Sequence, residues 1–182
     1  VWIQHDGGFG GRWMRGLPQR MAVGQGGAVF SPPYGTPPAD VVALWEAAAV
    51  PTSADLEAVA SGPLPLGNPP GPTSSEIAVG ADGTILQQYS TGWVARTSGT
   101  TERLRGICRK NGGQVNLVTM TLRIPLGEYF VVGTGGTILR SKDGLTWQPD
   151  ISPTQRNLNS VAVVNNTVLA VGDGGVILQT GG

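Results

Sequence analysis

The chain carries one cysteine (Cys108), one histidine (His5) and only 13% charged residues, with twelve basic side chains set against twelve acidic ones. A single cysteine excludes an internal disulfide and a cysteine-based metal knuckle, so Cys108 reads as a small apolar residue in a strand. A single histidine leaves a zinc site without a second nitrogen ligand, and a Ser-His-Asp triad would have to recruit it from the chain's first residues. Balanced and sparse charge provides no field to steer the protein onto nucleic acid or an anionic membrane. No apolar run approaches the roughly eighteen residues that would cross a bilayer. The opening Val1-Trp2-Ile3-Gln4-His5-Asp6 has neither a basic n-region nor an apolar h-region, so neither membrane insertion nor a leader is expected. Beginning on Val rather than Met points to a processed product or a piece of something longer.

What the chain has is glycine and proline, 29 and 14 of 182 residues, the composition of a chain that turns every few residues. A phrase recurs four times: Met21-Ala22-Val23-Gly24, Ile77-Ala78-Val79-Gly80, Phe130-Val131-Val132-Gly133 and Leu169-Ala170-Val171-Gly172. Each copy runs through a glycine-containing turn into a second apolar run centred on Val29, Ile85, Ile138 or Ile177, at constant spacing from the anchoring glycine. A tryptophan follows each of the first three copies (Trp45, Trp93, Trp147), and a leucine follows each tryptophan at one fixed interval (Leu56, Leu104, Leu158). One unit therefore holds four strands: a Leu-led strand, the strand ending in Val-Gly, the second apolar run and a Trp strand. Four antiparallel strands in a repeat of roughly 40 to 55 residues is the period of propeller blades.

The expected fold is all-β: one domain over 1–182, a β-propeller of about four four-stranded antiparallel blades. Residues 1–20 are read as a closing segment, able to share one blade with C-terminal strands because the last copy ends without its Trp strand. Residues 39–49 conflict with this scheme: helix propensity is strong there, whereas the Trp45-to-Leu56 register demands a strand, and register is the reading adopted. Segments 61–75, rich in proline, and 111–126 read as insertions between the Leu-led strand and the Val-Gly strand.

From residue 77 onward the sequence resembles the BNR or Asp-box propeller repeats, most closely those of the photosystem II assembly factor type. The best match runs from Val132-Gly133-Thr134-Gly135-Gly136-Thr137-Ile138-Leu139 through Ser141-Lys142-Asp143-Gly144-Leu145-Thr146-Trp147. The resemblance implies a propeller and leaves activity open, because such propellers occur in hydrolases, assembly factors, secreted binders and phage virion proteins. As a turn device the motif is intelligible: Asp143 accepts backbone N–H groups within its own loop, Gly144 supplies a permissive φ and Trp147 covers the turn.

Candidate chemistry is thin. The runs Gly24-Gln25-Gly26-Gly27, Gly133-Thr134-Gly135-Gly136 and Gly172-Asp173-Gly174-Gly175 lead into strands rather than helices, so they read as hairpin turns and not as phosphate cradles. A sialidase-like site would need an arginine cluster, a tyrosine nucleophile and carboxylates, and Tyr34, Tyr89 and Tyr129 stand in no diagnostic spacing. Val118, Met120, Leu122 and Ile124 alternate with polar residues and give one apolar face, while Arg103, Arg105, Arg109 and Lys110 cluster nearby. Val118, Met120, Leu122, Ile124, Arg103 and Arg105 are the candidate partner-binding residues, the alternatives being that the apolar face packs back on its own sheet and that the arginines form a solvated basic edge. The structural framework is Gly24, Gly80, Gly133, Gly172, Trp45, Trp93, Trp147, Leu56, Leu104, Leu158 and Asp143.

The sequence thus leads to the expectation of a module that is not an enzyme and uses no cofactor or metal. It would contact other protein chains of a larger assembly, in an extracellular or virion setting such as a phage tail or capsid-associated piece. A carbohydrate-binding or glycan-cleaving propeller and an assembly chaperone of the photosystem type are the alternatives.

Overall fold

The computed structural model describes residues 21–31, 46–63, 74–89, 91–110 and 127–180. Within them the protein is all-β, built of four antiparallel sheets that do not close into a barrel. The first sheet orders β1 (Ala22–Val23), β2 (Val29–Ser31) and β3 (Glu46–Ala47) side by side. The second orders β4 (Leu56–Pro63), β5 (Ser74–Gly80), β6 (Ile85–Tyr89) and β7 (Gly92–Arg96). The third orders β8 (Leu104–Lys110), β9 (Glu128–Gly133), β10 (Ile138–Ser141) and β11 (Gln148–Pro149), and the fourth β12 (Leu158–Val164), β13 (Thr167–Gly172) and β14 (Ile177–Gln179).

The same local geometry appears at all four glycine anchors. The third and fourth residues after Val sit in the left-handed region at Gly26 and Gly27, Asp82 and Gly83, Gly135 and Gly136, and Gly174 and Gly175. Two successive positive φ angles make a type I′ turn, whose twist matches that of the flanking strands. The turn is closed by Ala28 N–H to the Gln25 carbonyl (3.1 Å), Thr84 to Ala81 (2.9 Å) and Thr137 to Thr134 (3.0 Å). Aspartate tolerates the first left-handed position, as at Asp82 (φ 53°). The second position is stricter, since a Cβ on Gly83 or Gly136 would run into the carbonyl oxygen of Thr100 or Thr154, on the segment leading to the following sheet.

Pairing is also constant. Leu56 faces Gly80, Leu104 faces Gly133 and Leu158 faces Gly172, and in each ladder the register skips one residue immediately afterwards. The skipped residues, Glu57, Arg105 and Asn159, are β-bulge residues at equivalent points of β4, β8 and β12.

Three apolar cores fill the spaces between consecutive sheets. Met21, Val23 and Val29 of the first sheet meet Leu56, Val59, Ala78, Leu86 and Trp93 of the second. Ile77, Val79 and Ile85 on the second sheet's other side meet Leu104, Ile107, Val131, Leu139 and Trp147 of the third. Phe130 and Val132 of the third meet Leu158, Val161, Val168 and Ala170 of the fourth. Trp93 and Trp147 thus do the same work, each packing its own sheet onto the one before it.

Several expectations need adjustment or fall elsewhere. Residues 46 and 47 form a strand paired with β2 and not part of a helix. The segment read as an insertion over 61–75 is narrower, because Ser61, Gly62 and Pro63 pair with Glu76, Ser75 and Ser74 as a continuation of the β4–β5 ladder. Trp147 stands just before β11 rather than within it. Residues 1–20, Trp45, and the segment 111–126 with Val118, Met120, Leu122 and Ile124 lie outside the described residues.

Gly136→Ala should destabilise the protein by at least about 1–2 kcal/mol, the cost of a left-handed alanine, and by more because the Thr154 carbonyl must give way. Asp82→Gly should change stability by less than about 1 kcal/mol, relief of the left-handed aspartate being offset by a freer unfolded chain. Urea unfolding of the two variants beside the parent chain checks both.

Candidate functional site

The bulges in β4, β8 and β12 supply the first concentration of polar groups. A bulge residue is unpaired and its side chain is re-aimed away from the ladder, and here each reaches a neighbouring sheet. Arg103, just before β8, donates from Nη1 to Glu57 Oε1, and its Nη2 lies 3.7 Å from Asp55 Oδ2. Arg105 donates to Asn159 Oδ1. Asn159 Nδ2 in turn donates to Asp173 Oδ1 at 2.7 Å, and Asn157 Nδ2 to Asp173 Oδ2 at 2.9 Å. The row continues into the turns: Gly26 N–H donates to Asp55 Oδ1 (3.0 Å) and Gly135 N–H to Asn157 Oδ1 (3.1 Å), the residue before Leu in each case gripping the preceding sheet's turn. The Glu57 hydrogen bond raises the Arg103 guanidinium pKa, and the Asn159 and Asn157 amides lower that of Asp173.

A second cluster lies between the second and third sheets, at the end away from the glycine turns. Ser61 Oγ donates to Glu76 Oε2, and the Glu76 residue is 2% exposed. Burial raises its carboxyl pKa, against a smaller lowering by Ser61. Tyr129, 3% exposed, stands nearby with the Arg109 guanidinium carbon 5.7 Å from its ring centroid. Burial raises the Tyr129 phenol pKa; the Arg109 charge opposes this and the Glu76 charge adds to it. β4 accommodates the ring because a Cβ at Gly62 would fall on the Tyr129 hydroxyl.

The Asp-containing turn is a closed set of hydrogen bonds. Asp143 Oδ1 accepts from Leu145 N–H (2.8 Å), Thr146 N–H (2.9 Å) and Ser141 Oγ (3.0 Å), and Gly144 N–H donates to Ser141 Oγ (2.8 Å). Desolvation pushes the Asp143 carboxyl upward, but the Thr146, Leu145 and Ser141 donors outweigh it and hold the group below the ordinary carboxylate range. Its role is to hold the loop, with Gly144 (φ 73°) tucked against Ile77 and Trp147 buried behind it.

Elsewhere the chemistry is sparse. An open groove of about 740 Å³ is lined in part by Thr52, Asp82, Thr84, Arg96, Ser98 and Thr100. Its cation is already engaged, Arg96 Nε donating to Gln87 Oε1 at 3.0 Å and Nη2 to the Tyr89 hydroxyl. Cys108 sits half-buried in β8 with its thiol pushed up to about 12 by desolvation, far from the range of a reactive thiolate. Among the described residues no group of three or more His, Cys, Asp or Glu side chains could hold a metal ion.

Of the residues singled out from sequence, Arg103 and Arg105 fall together in the row across β4, β8 and β12, both tied to neighbouring sheets. The feature that sequence reasoning passed over is the outer side of the fourth sheet, where Val171 is 43% and Ile177 71% exposed. The repeat register was the signal that could have found it, since these two positions are the counterparts of Val79 and Ile85. No protein-family model, no curated protein and no solved structure matches the chain.

Glu76→Gln should stabilise the protein at neutral pH while leaving it unchanged in acid. A carboxyl whose folded pKa is raised withholds no stability below its unfolded value of about 4.3 and weakens the fold progressively as pH climbs through the folded value. Thermal midpoints of the two proteins should therefore coincide near pH 4 and separate above it, the variant being higher. Coincidence across the whole range would show that Glu76 carries no burial penalty.

Proposed function

We propose that the chain is a β-propeller module of the Asp-box kind, serving as a non-catalytic interaction or structural part of a larger protein assembly. Support for the propeller comes from β4, β8 and β12, the equivalent edge strands of successive sheets, which lie against one another. Strands lining a shared axis would do so, with the bulge residues Glu57, Arg105 and Asn159 turned toward it. The constant register, the recurring turn and the Ser141–Trp147 loop point the same way.

One observation carries the non-catalytic reading: the charged groups of the two clusters are tied up in holding the sheets together, while Val171 and Ile177 stand exposed side by side. Glu76 and Tyr129 are buried, the guanidiniums of Arg103 and Arg105 are paired across sheets, and the solvent instead meets Val171 and Ile177. Exposed large apolar side chains grouped on one face mark a contact surface. A phage virion piece is one assembly in which such a module would serve.

The second reading, a glycan-processing propeller, draws on the arginines and carboxylates gathered across β4, β8 and β12 and on the Arg109–Tyr129–Glu76 group. Against it, a tyrosine that is 3% exposed with its phenol pKa raised is neither reachable nor activated as a nucleophile.

In its native source the chain should run in a particle well above its own 18.8 kDa, with other polypeptides in fixed stoichiometry, as read by native mass spectrometry. Fluorogenic sialosides and neutral glycosides should show no turnover with the purified protein. A free 18.8 kDa species that cleaves such a substrate, and loses activity in Tyr129→Phe, would overturn the assignment.

A further inference from the structure

Two linking segments stand on either side of the second sheet's glycine turn, one leading into β4 and one leaving β7, and both line the groove of about 740 Å³. Its size falls in the range of about 300–1,000 Å³ that small-ligand clefts occupy. Pro51 and Thr52 come from the first segment, residues 97–101 from the second, and residues 82–86 from the turn and the start of β6. The lining is held by contacts that owe nothing to a ligand. Gly83 N–H donates to the Glu102 carbonyl at 2.9 Å, and Ser98 Oγ to the Thr100 carbonyl at 3.1 Å. The Thr100 carbonyl lies where a Cβ on Gly83 would fall, and the Thr52 carbonyl where one on Gly27 would. A site shaped before its ligand arrives loses little freedom on binding.

The chemistry of the lining is hydroxylic. Thr52 Oγ1 accepts from Ala54 N–H (3.0 Å) and Thr100 Oγ1 from Glu102 N–H (3.1 Å), so each keeps its O–H to donate. The Thr84, Thr97 and Thr101 hydroxyls make no hydrogen bond among the described residues. Asp82 is the only carboxylate of the lining, exposed, and without a hydrogen bond or ion pair among the described residues. Arg103 feels its charge but hydrogen-bonds to Glu57 instead. The turn does not call for an aspartate: Gly26, Gly135 and Gly174 stand at the same position of the other three turns, whereas Asp82 is held there in the left-handed region at φ 53°.

We infer that this groove binds a neutral saccharide, Asp82 accepting hydrogen bonds from sugar hydroxyls and the threonine hydroxyls donating to sugar oxygens. Groups that both donate and accept match a ligand whose hydroxyls do the same. Charge selects against the anionic sugars and against phosphate or sulfate: the one cation of the lining, Arg96, already donates to Gln87 Oε1 at 3.0 Å and to the Tyr89 hydroxyl, which leaves Asp82 to repel an anion. Pro51 and Ala95 supply apolar surface for the C–H groups of a sugar ring. One carboxylate does not make a glycosidase, which uses a flanking pair, so the groove holds the sugar without cleaving it. The inference goes beyond the assembly reading above and does not rest on it, since every residue it uses lies in the second sheet or the segments on either side of it.

The isotopically labelled 182-residue chain, titrated with maltose, cellobiose, lactose and diacetylchitobiose, should show amide shifts by NMR with at least one of these sugars. The shifts should be confined to residues 51–52, 82–86 and 95–101. Asp82→Gly gives the turn the residue that the other three carry, so it should keep the spectrum of the folded protein while weakening the sugar at least about tenfold, the effect of losing a hydrogen bond to a charged group. Thr84→Val, which places there the residue found at Val176 of the fourth turn, should weaken it severalfold. Absence of shifts with all of the sugars would overturn the proposal, as would binding that Asp82→Gly leaves unchanged or shifts that map outside the groove. Tighter binding of sialyllactose, inorganic phosphate or free lysine than of the neutral sugars would overturn it in favour of a charged ligand. None of these results touches the assembly reading, which fails separately if the chain runs free at 18.8 kDa in its native source.

Discussion

A sheet that is apolar on both sides cannot exist alone, and this requirement organises the protein. Ile77, Ala78 and Val79 are consecutive and each 0% exposed, although neighbours along a strand point to opposite faces. Both sides of β5 are therefore buried, one in the core with the first sheet and the other in the core with the third. Antiparallel sheets commonly keep one wet face. Here the wet face is missing, and each inner sheet must be clamped between two others. Leu104, Leu139 and Leu158, all 2% exposed or less, show how closely the clamp fits, and truncating any one to alanine falls in the class that costs roughly 2–5 kcal/mol.

Clamping by apolar faces is not directional, so something must fix how the sheets sit on one another. The type I′ turns and the bulges do this at one end. Ala81 N–H donates to the Asp55 carbonyl at 2.8 Å, Thr134 to Arg103 at 2.9 Å and Asp173 to Asn157 at 2.9 Å, so the residue before each leucine is locked to the turn of its own sheet. That residue's side chain, when it is Asp55 or Asn157, reaches the turn of the preceding sheet. Ladder and side chain thus tie two sheets from one position. At the opposite end the Glu76–Ser61 pair and Tyr129 occupy the seam between the second and third sheets, where burial raises the Glu76 carboxyl pKa.

Much of this was legible in the sequence because the repeated phrase encodes burial directly. The leucines at 56, 104 and 158, the glycine anchors and Trp93 and Trp147 could be assigned to equivalent strands or their approaches from spacing alone. The conflict over residues 39–49 was decided at Glu46 and Ala47 by pairing with β2, a tertiary constraint that propensity does not contain. The bulges were not legible, since one extra residue in a strand leaves no compositional mark, and so the turning of Arg105 toward Asn159 could not be foreseen. Nor was the Glu76–Tyr129 seam, which joins β5 of one sheet to β9 of the next and has no sequence spacing to announce it. Arg103 and Arg105 were singled out as partner contacts because they cluster near the 111–126 segment and could meet a polar or acidic partner; the groups they do meet, Glu57 and Asn159, are remote in sequence.

On its outer side the fourth sheet carries the residue types that the inner sheets bury. In the inner sheets the side chains at the positions of Val171 and Ile177 are satisfied by a neighbour, and their burial is part of what makes the next sheet fold. On the fourth sheet the same residue types remain although the neighbour is absent from the described chain. Fully burying an isoleucine or valine contributes about 1.5–3 kcal/mol relative to leaving it in water, so the exposed parts of Val171 (43%) and Ile177 (71%) leave roughly 2–3 kcal/mol that folding of the described residues does not use. A surface residue under no packing constraint would have no reason to keep the pattern Leu169-Ala170-Val171-Gly172 through Ile177-Leu178 intact. The pattern is explained if that face, too, is built to be folded against a neighbour of the kind that stacks the second sheet on the third.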